Sequence, residues 1–501
     1  MKFNKITRKS IELLGKFIVL AMPKKTLANE ELSAKYMNTG DEKFDFSSGE
    51  FFTCGFSKEI LTPDDIKEHK YFIAGYDSNN KAEDVLDDMY ARAIYIDDNK
   101  CNGGIIICAI DAVGMSRKDI NDIRKLVLES DEIGKLKSLN ICCTHTHSAI
   151  DTQGLWGEKI YKSGRNEEFM TKLKKKTAKA IISAYKNRTD GKLYFSSTET
   201  EDLQYDCRTP ETFDRNLNRI HFIPTNIDKK EIYLVNFASH AELMGSKTKK
   251  VSADFPCYMI KAMEDEHKNC EVVYINGAIG GMISAKEIKK VYRNTIDCEE
   301  YTKEFGKNLG KLAINLKNDE EIEPIINIKS KQINVPVENF VLTLARFLKV
   351  LNNDFLKKGS KAFVISETGY LILGKSQVAM FLIPGELFPE LYNGEFLDAE
   401  TSANKCEAEY TPLTNMTSIK NNFVVGLCND ELGYIIPKND FYLNEKTPYI
   451  NSANDRFERN HYEETNSVGP RTAETILDTL SSIVVSGQGL GTMKKEAGNR
   501  K

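Results

Sequence analysis

The stretch LNICCTHTHS, residues 139–148, is an apolar run that ends in two histidines one residue apart. Residues 139–143 have the length and apolar character of a buried strand. Because side chains alternate between the two faces of a strand, His145 and His147 are expected to project together from its end. Two imidazoles fixed in this way can bind a transition metal, or one can bind it while the other moves a proton. The pair alone leaves a third interpretation open, in which both are hydrogen-bonded polar residues at a strand end.

Strand-like and helical patterns alternate along the chain on both sides of this stretch. The strand-like runs cover residues 91–96, 104–110, 219–223, 231–237 and 271–275, and the helical patterns cover residues 117–129, 167–185, 256–267 and 299–316. Further patterns predict a helix at 340–355, two or three strands up to residue 383, a strand at 424–427 and a last helix at 471–484. This alternation predicts an α/β fold with a mixed β-sheet core flanked by helices.

The organisation of the chain points to one main unit. There is no internal repeat and no linker rich in Pro, Gly and Ser, so residues 51–486 are expected to form a single large domain. Residues 1–50 are expected to be an amphipathic and loop-like extension. Residues 487–501, GQGLGTMKKEAGNRK, are expected to be a flexible tail.

The N-terminal segment, MKFNKITRKSIELLGKFIVLAMPKK, is basic, and its apolar part is interrupted by Lys16. That apolar part is too short to span a bilayer. A secretory signal would need a longer apolar region and a small-residue cleavage site. We therefore expect an amphipathic helix that packs on the body of the protein or rests on a membrane surface, with packing favoured.

Charge and cysteine usage narrow the class of protein. The chain has 69 basic and 73 acidic residues, well mixed, and a net charge of -4. This balance argues against a dedicated nucleic-acid binder, which usually carries a basic face. The 11 cysteines form no C-x-x-C pair and most lie in apolar runs. A reduced cytoplasmic protein with buried thiols fits best, and a disulfide scaffold or zinc knuckle is not expected.

Several strand-like runs are followed directly by polar groups that can do chemistry. These groups are Asp111 after IIICAI, the two histidines after LNICC, His240 after IYLVNFAS, Glu386 after VAMFLIPG and Tyr434 after FVVGLCNDELG. Two or three histidines with one carboxylate form a catalytic zinc site that keeps a position open for water. The chain has no H-E-x-x-H helix, which excludes the common zinc-protease pattern.

Ten stretches of the chain, in order, resemble the neutral/alkaline, non-lysosomal ceramidase family, specifically its catalytic N-terminal domain. They are AGYDSNN, DDMYARAIYID, IIICAIDAVG, ICCTHTHS, VNFASHAELMG, VSADFP, YINGAIGG, IPGELFP, GLCNDELGYI and HYEETNSVGP. The match as a whole runs from about residue 52 to about residue 485. The specific elements are THTHS, PGE and the final GYI…YE pair.

The resemblance implies a role for each matching residue. One Zn²⁺ would be held by His145, His240, Glu386 and Tyr434. His147 resembles the acid/base group beside the metal, Arg208 in CRTP resembles a substrate-binding arginine, and Tyr462 in HYEE resembles a tyrosine that hydrogen-bonds the developing oxyanion. Asp111 is expected to orient a ligand or the nearby peptide. His69, His221, His267 and His461 have no motif support and are interpreted as surface or core residues.

Each of these roles has a simpler alternative. His240 could be an ordinary strand-end histidine, and Asp111 a hydrogen-bonded strand cap. Glu386 could be a carboxylate at a helix N-terminus, where the helix dipole favours it. Tyr434 could simply pack in the core.

The chain departs from the family at two places near the expected site. The family's G-D-x-S-P corresponds to Gly280-Gly281-Met282-Ile283-Ser284, so either Ile283 or Ser284 takes the position of a serine that contacts substrate. The family's S-G-P-G-G after the histidines is replaced by Ser148-Ala149-Ile150-Asp151. These departures make a zinc amide hydrolase a firmer expectation than a ceramide-specific enzyme.

The expected reaction is hydrolysis of ceramide or a related N-acylated lipid or small amide to a fatty acid and an amine. Peripheral membrane contact through the N-terminal segment is compatible with such a substrate. Two alternatives stay open: an inactive zinc-containing homologue that binds lipid or regulates, and a zinc esterase.

Overall fold

The computed structural model describes residues 8–24, 27–200 and 202–487. In these residues there are eleven α-helices: α1 (Arg8–Ala21), α2 (Glu30–Lys35), α3 (Arg117–Leu128), α4 (Glu167–Lys186), α5 (Phe255–Glu266), α6 (Ile288–Tyr292), α7 (Cys298–Ile314), α8 (Phe340–Phe347), α9 (Pro389–Asn393), α10 (Leu413–Met416) and α11 (Thr472–Gly487). None of the described helices is both long enough and apolar enough to cross a membrane.

The same residues form twenty-two strands. They are β1 (Phe52–Ile60), β2 (Asp84–Val85), β3 (Tyr90–Asp97), β4 (Gly104–Ile110), β5 (Leu136–Cys143), β6 (Thr189–Glu199), β7 (Gln204–Tyr205), β8 (Asn216–Pro224), β9 (Glu231–Phe237), β10 (Lys250–Val251), β11 (Cys270–Asn276), β12 (Ser284–Ala285), β13 (Glu320–Ile322), β14 (Ile326–Val337), β15 (Phe355–Lys358), β16 (Lys361–Leu373), β17 (Val378–Leu382), β18 (Glu386–Leu387), β19 (Asn421–Val425), β20 (Tyr434–Ile435), β21 (Ala453–Asn454) and β22 (Asn460–His461).

Most of these strands belong to two mixed sheets. The larger sheet has the order β11-β9-β8-β6-β1-β3-β4-β5, with β13 paired to β6. The smaller sheet has the order β14-β16-β17-β19, with β15 paired to β16. Within them, β4 and β5, β9 and β11, and β17 and β19 run parallel, whereas the other pairs are antiparallel.

The two sheets pack face to face, with helices on both outer faces. One apolar cluster joins inward-facing residues of both sheets, such as Ile107 and Met380. The outer face of the larger sheet packs on α3 and α4 at one end and on α5 and α7 at the other. The outer face of the smaller sheet packs on α11 and on part of α1. The predicted fold class, α/β with a mixed sheet flanked by helices in one large domain, is therefore confirmed.

The strand β4 is an uninterrupted apolar run because of where it lies in the fold. Every residue of Gly104–Ile110 is buried, because both faces of the strand are covered. Ile106, Cys108 and Ile110 face the helices, whereas Ile105 and Ile107 face the second sheet. A strand covered on one face only would have alternated apolar and polar residues.

One predicted element is wrong in the second half of the chain. The helix expected at residues 340–355 ends at Phe347, and residues from Phe355 onward form β15. The chain turns at Lys349, whose φ of 62° lies in the left-handed region. The guanidinium of Arg346 then donates to the backbone carbonyl of Asn353 and closes the turn. The long strands β6 and β14 did not appear among the predicted elements, because their sequences mix polar with apolar residues.

Within the predicted N-terminal extension, α1 packs on the body of the protein. Ile18 and Val19 of α1 are buried, and Gly15 lies close to Phe340 of α8. Residues 1–7 and 488–501, which include nearly all of the predicted flexible tail, lie outside the described residues. The domain boundaries stay a prediction.

Candidate metal centre

Backbone pairing brings together the loops that carry the predicted site residues. The N–H of His147, after β5, donates to the carbonyl of Ala241, after β9. This bond puts the two histidine-bearing loops side by side. Glu386 begins β18 and Tyr434 begins β20, and these two residues are direct partners in a parallel pairing. The structure therefore gathers all four predicted metal ligands and His147 in one place.

The two histidines of THTH converge, but the predicted reason is wrong. The strand β5 ends at Cys143, so neither His145 nor His147 lies in it. His145 instead has a φ of 62°, in the left-handed region of backbone conformation that residues other than glycine rarely adopt. Its N–H donates to the carbonyl of Ala112, which holds this conformation. A bent loop, not strand alternation, aims both imidazoles at the same point.

The imidazoles present their Nε2 atoms to a common centre. His145 Nε2 lies 3.2 Å from His147 Nε2 and 3.6 Å from Glu386 Oε2. His240 Nε2 lies 3.0 Å from Glu386 Oε2 and 3.5 Å from the phenol oxygen of Tyr434. One ligand atom from each of the three histidines falls within 4.8 Å of the others. The spacing suits atoms that surround one small cation.

Backbone carbonyls fix which nitrogen of each predicted histidine ligand faces the centre. Nδ1 of His145 lies 2.6 Å from the carbonyl of Val113, and Nδ1 of His240 lies 2.8 Å from that of Ile283. A carbonyl can only accept, so each Nδ1 carries a proton, and in the neutral form of each ring Nε2 keeps a free lone pair. This is the arrangement in which histidine binds zinc, and the added carboxylate and phenol oxygens complete an N/O donor set.

The charges at the centre are mutually dependent. Burial by itself would raise the pKa of Glu386, but the protonated forms of His145 and His240, which carry charge and donate from Nε2, hold it below its usual range. Burial lowers the pKa of His147, and His145 and His240 lower it further. Burial and the charge of Glu386 raise the pKa of Tyr434 well above its usual value. Tyr434 would thus need a cation beside it to act as a phenolate ligand.

The surroundings of His147 include the carboxylate of Glu242, which was not predicted from the sequence. Gly75 has a φ of 110° and packs against the ring, so a Cβ there would lie 2.4 Å from His147 Cγ. Nδ1 of His147 lies 3.9 Å from Oε2 of the fully buried Glu242. The phenols of Tyr76 and Tyr292 donate to Glu242 and fix it. The only sequence signal for Glu242 is its place two residues after His240.

A pocket of about 140 Å³ opens from this centre. His145, His147, Glu386 and Tyr434 line its inner end. Its apolar wall comes from the second sheet and the neighbouring helix, through Val337, Leu342, Leu351, Phe355 and Val364. Tyr462 also lines the pocket and is 47% exposed, which puts its phenol where an entering molecule can reach it.

Arg208 lies in a buried ionic cluster and does not line the pocket. Its guanidinium donates to Glu463 at 2.8 Å, Glu464 at 2.9 Å and Asp440 at 3.0 Å. It also lies 2.8 Å from Nδ1 of His461. Substrate binding by Arg208 stays a prediction, and these contacts give it a structural role in addition.

A second group with metal-like spacing belongs to the same ionic cluster. Asp440, Asp455 and His461 offer ligand atoms within 4.8 Å of one another. Arg459 already contacts both carboxylates, at 3.3 Å from Asp440 and 2.5 Å from Asp455. Because these charges are paired by arginines, the group has no need of a cation.

Asp111 and Ser284 contact the centre only indirectly. One oxygen of Asp111 accepts from the hydroxyl of Thr144, the residue before His145, and the other accepts from Arg92. Ser284 is buried in β12, and its hydroxyl has no hydrogen-bond partner among the described residues. Ile283 contacts the centre through its carbonyl, which accepts from the backbone N–H of His240 as well as from its ring.

The fold is similar to that of two solved ceramidase structures. One is a crystal structure of neutral ceramidase from Pseudomonas aeruginosa, with a TM-score of 0.66 and 13% identity over 90% of this chain and 76% of that chain. The other is a ceramidase complexed with C2, with a TM-score of 0.64 and 12% identity over 90% of this chain and 77% of that chain. No protein-family model and no curated protein matches the sequence. At such low identity the likeness establishes the fold alone.

Proposed function

We propose that this protein is a zinc-dependent hydrolase of N-acyl amide bonds, similar in activity to a ceramidase. The observation that carries the proposal is the meeting of three imidazole Nε2 atoms, the Glu386 carboxylate and the Tyr434 phenol at the inner end of a largely apolar pocket. The ceramidase-like fold supports it. The substrate is ceramide or a related N-acylated lipid, and the products are a fatty acid and an amine.

His145, His240, Glu386 and Tyr434 would hold the ion. When bound, zinc polarises the amide carbonyl and lowers the pKa of a water molecule towards neutrality. The Nδ1 contacts to Val113 and Ile283 keep both histidine rings oriented before any ion arrives. Such preorganisation lowers the free-energy cost of binding the ion.

His147 acts as the general base and then as the general acid. Its lowered pKa keeps the imidazole neutral, so Nε2 can accept a proton from the attacking water. The same nitrogen then protonates the leaving amine as the C–N bond breaks. Tyr462 donates its phenolic proton in a hydrogen bond to the carbonyl oxygen as negative charge develops there.

The apolar wall of the pocket receives the acyl chain. Leu342, Phe355 and Val364 would remove the chain from water, and each buried CH₂ group contributes about 0.8 kcal/mol to binding. A lipid substrate also explains an unusual surface. Leu13, Leu14, Phe17 and Leu20 of α1 are all at least half exposed. Since α1 packs on α8, which supplies Leu342 to the pocket, peripheral membrane contact through α1 is part of the proposal.

Metal analysis and turnover together test the proposal. The full-length protein and His145→Ala are purified, their zinc content is measured, and hydrolysis of fluorogenic N-acyl amides and matched esters is followed with and without a chelator. About one zinc per chain, with amide cleavage lost in the variant and on chelation, supports the proposal. Zinc without amide turnover indicates a binding protein, ester cleavage alone indicates an esterase, and absence of zinc in both proteins refutes the site.

A further inference from the structure

A second pocket lies beside α1, apart from the metal centre. It has a volume of about 280 Å³, many times the roughly 10–15 Å³ that one water molecule needs. Its walls come from α1, the end of β14, the start of β16 and the first turn of α8. Val337 of β14 lines this pocket and also the pocket at the metal centre, so the two are neighbours.

Positive charge exceeds negative charge in the lining of this second pocket. The basic residues are Lys16 of α1, Lys361 of β16 and Arg471 just before α11, and the acidic residue is Glu338. Oε1 of Glu338 accepts from Nε of Arg471 at 2.7 Å, so these two charges compensate each other. The ammonium groups of Lys16 and Lys361 have no hydrogen-bond or ion-pair partner among the described residues. Two uncompensated cations at one pocket point to an anionic ligand.

The position of Lys16 on α1 relates this pocket to the exposed apolar face of the helix. Leu13, Phe17 and Leu20 follow the spacing i, i+4, i+7 and form one exposed stripe. At 100° per residue, Lys16 lies between that stripe and the buried Val19, which lines the pocket. A helix with such a stripe lies in the membrane interface with its apolar side chains about 5–10 Å deep. Lys16 and the pocket then lie at the level of the lipid headgroups.

Further lysines lie on the same side of the protein. Lys357 of β15 donates from Nζ to the backbone carbonyl of Leu20 at 2.7 Å, and Lys358 next to it is exposed. The whole chain has a net charge of -4, so an anionic membrane would repel it on average. Any attraction to such a membrane must therefore come from a local basic region such as this one.

We propose that the pocket beside α1 binds the phosphate group of an anionic phospholipid in a membrane. Each lysine ammonium has three donors, and its charge strengthens hydrogen bonds to phosphate oxygens. A phosphatidylcholine headgroup carries its own cation beside the phosphate, so it gains less from Lys16 and Lys361. This inference rests on the membrane contact proposed for α1 and adds the class of lipid. A lipid held here keeps the neighbouring pocket of the metal centre close to lipid substrates.

Vesicle sedimentation with the full-length protein tests the site. One set of vesicles is pure phosphatidylcholine, and the other is phosphatidylcholine mixed with phosphatidylglycerol. We expect at least about tenfold stronger partitioning into the mixed vesicles, since each lysine near an anionic membrane is worth about fivefold in binding. For the same reason Lys16→Gln with Lys361→Gln should weaken partitioning into mixed vesicles by about 25-fold. The same double variant should bind pure phosphatidylcholine as the unchanged protein does.

Two further double variants separate a site from diffuse charge. Lys307→Gln with Lys311→Gln makes the same change in net charge at exposed positions of α7, which packs on the larger sheet, and should keep the preference. Lys16→Arg with Lys361→Arg retains both cations and should keep it as well. The site is overturned by an unchanged protein without preference for mixed vesicles. It is also overturned if the preference survives Lys16→Gln with Lys361→Gln, or if the α7 variant loses as much.

Titration with inorganic phosphate distinguishes a lipid headgroup from a free anion. We expect weak phosphate binding, because a soluble ion gains nothing from the apolar face of α1. Tight phosphate binding that depends on Lys16 and Lys361, without a preference for mixed vesicles, overturns the lipid assignment. Neither measurement requires amide cleavage, so failure of the proposed hydrolase function leaves this test valid. Equal partitioning into both kinds of vesicle overturns the headgroup site but not the membrane contact of α1.

Discussion

Glu386 and Tyr434 lie directly opposite each other in a parallel pairing of two short strands. The N–H of Glu386 donates to the carbonyl of Gly433 at 3.1 Å, which fixes the register. Directly paired residues project to the same side of a sheet, so both side chains reach His240. Two residues that are far apart in sequence thereby present adjacent oxygen atoms to the same centre.

Removing either oxygen ligand should weaken zinc binding without unfolding the protein. We expect zinc affinity to fall at least 100-fold in Glu386→Gln, which loses a charge, and about 10- to 100-fold in Tyr434→Phe. Competition with a chromogenic chelator measures the zinc affinity of both variants. Tyr370→Phe, which removes another buried phenol whose partner is Thr417, should keep the affinity of the unchanged protein. Unchanged affinity in both ligand variants would contradict the assignment.

His147 should be needed for turnover but not for zinc. In His147→Gln we expect roughly one zinc per chain and a fall in kcat of about 10²- to 10⁴-fold, because the proton transfer loses its acid/base group. Zinc analysis and amide hydrolysis on the same sample give both results. His221→Gln, at the distant ion pair with Glu231, is the matched control. Loss of zinc together with activity would instead make His147 a third histidine ligand.

The sequence predicted the strands covered on both faces and the polar residues that follow them. Residues 104–110 could be found because two-sided burial demands an unbroken apolar run. Tyr434 was found through the family resemblance, since a tyrosine after a strand carries no signal of its own. Glu242 was missed because its importance depends on neighbours that are distant in sequence. The left-handed conformation of His145 was equally invisible, because the bond to Ala112 that stabilises it is tertiary.

Arg208 should matter for stability. Removing its guanidinium in Arg208→Met leaves Asp440, Glu463 and Glu464 without their shared cation in a buried site, which should lower the free energy of unfolding by about 3–5 kcal/mol. Urea denaturation measures this change. Arg188→Met on the exposed surface should change it by at most about 0.5 kcal/mol. A raised KM with unchanged stability would favour the substrate-binding role predicted from the resemblance.

Asp119 should contribute to stability in a way that is lost in acid. Burial by itself would raise its pKa, but Arg165 and Lys174 outweigh burial and lower the pKa to about 2. Because the folded-state pKa is below the unfolded value of about 3.9, the stabilisation is complete above about pH 4 and disappears as the pH falls towards 2. The shift corresponds to about 2–3 kcal/mol.

Asp119→Asn tests this linkage. The variant should unfold more easily than the unchanged protein at neutral pH, and the difference in unfolding free energy should shrink as the pH falls below about 4. Urea denaturation at a series of pH values from neutral down to below pH 4 gives the free energy of unfolding of both proteins. Asp122→Asn, on the same helix and paired with Lys174 but half exposed, should show little pH-dependent difference. A difference between Asp119→Asn and the unchanged protein that does not vary with pH would contradict the lowered pKa of Asp119.

The exposed apolar residues of α1 should bind the protein to lipid vesicles. Leu13 is 68% exposed and Phe17 is 67% exposed, while Ile18 and Val19 on the opposite side hold the helix to the body. Substituting Leu13 and Phe17 together by Ser removes two side chains that would enter the headgroup region, so we expect at least about tenfold weaker partitioning into vesicles.

Sedimentation with vesicles of phosphatidylcholine and phosphatidylglycerol measures this partitioning. Ile227→Ser removes a still more exposed apolar residue elsewhere and should partition like the unchanged protein. Cleavage of a soluble short-chain amide should be the same in all three proteins, since α1 acts on access to lipid and not on the metal centre. Equal partitioning of all three proteins would refute the membrane contact and leave α1 as a packing element only.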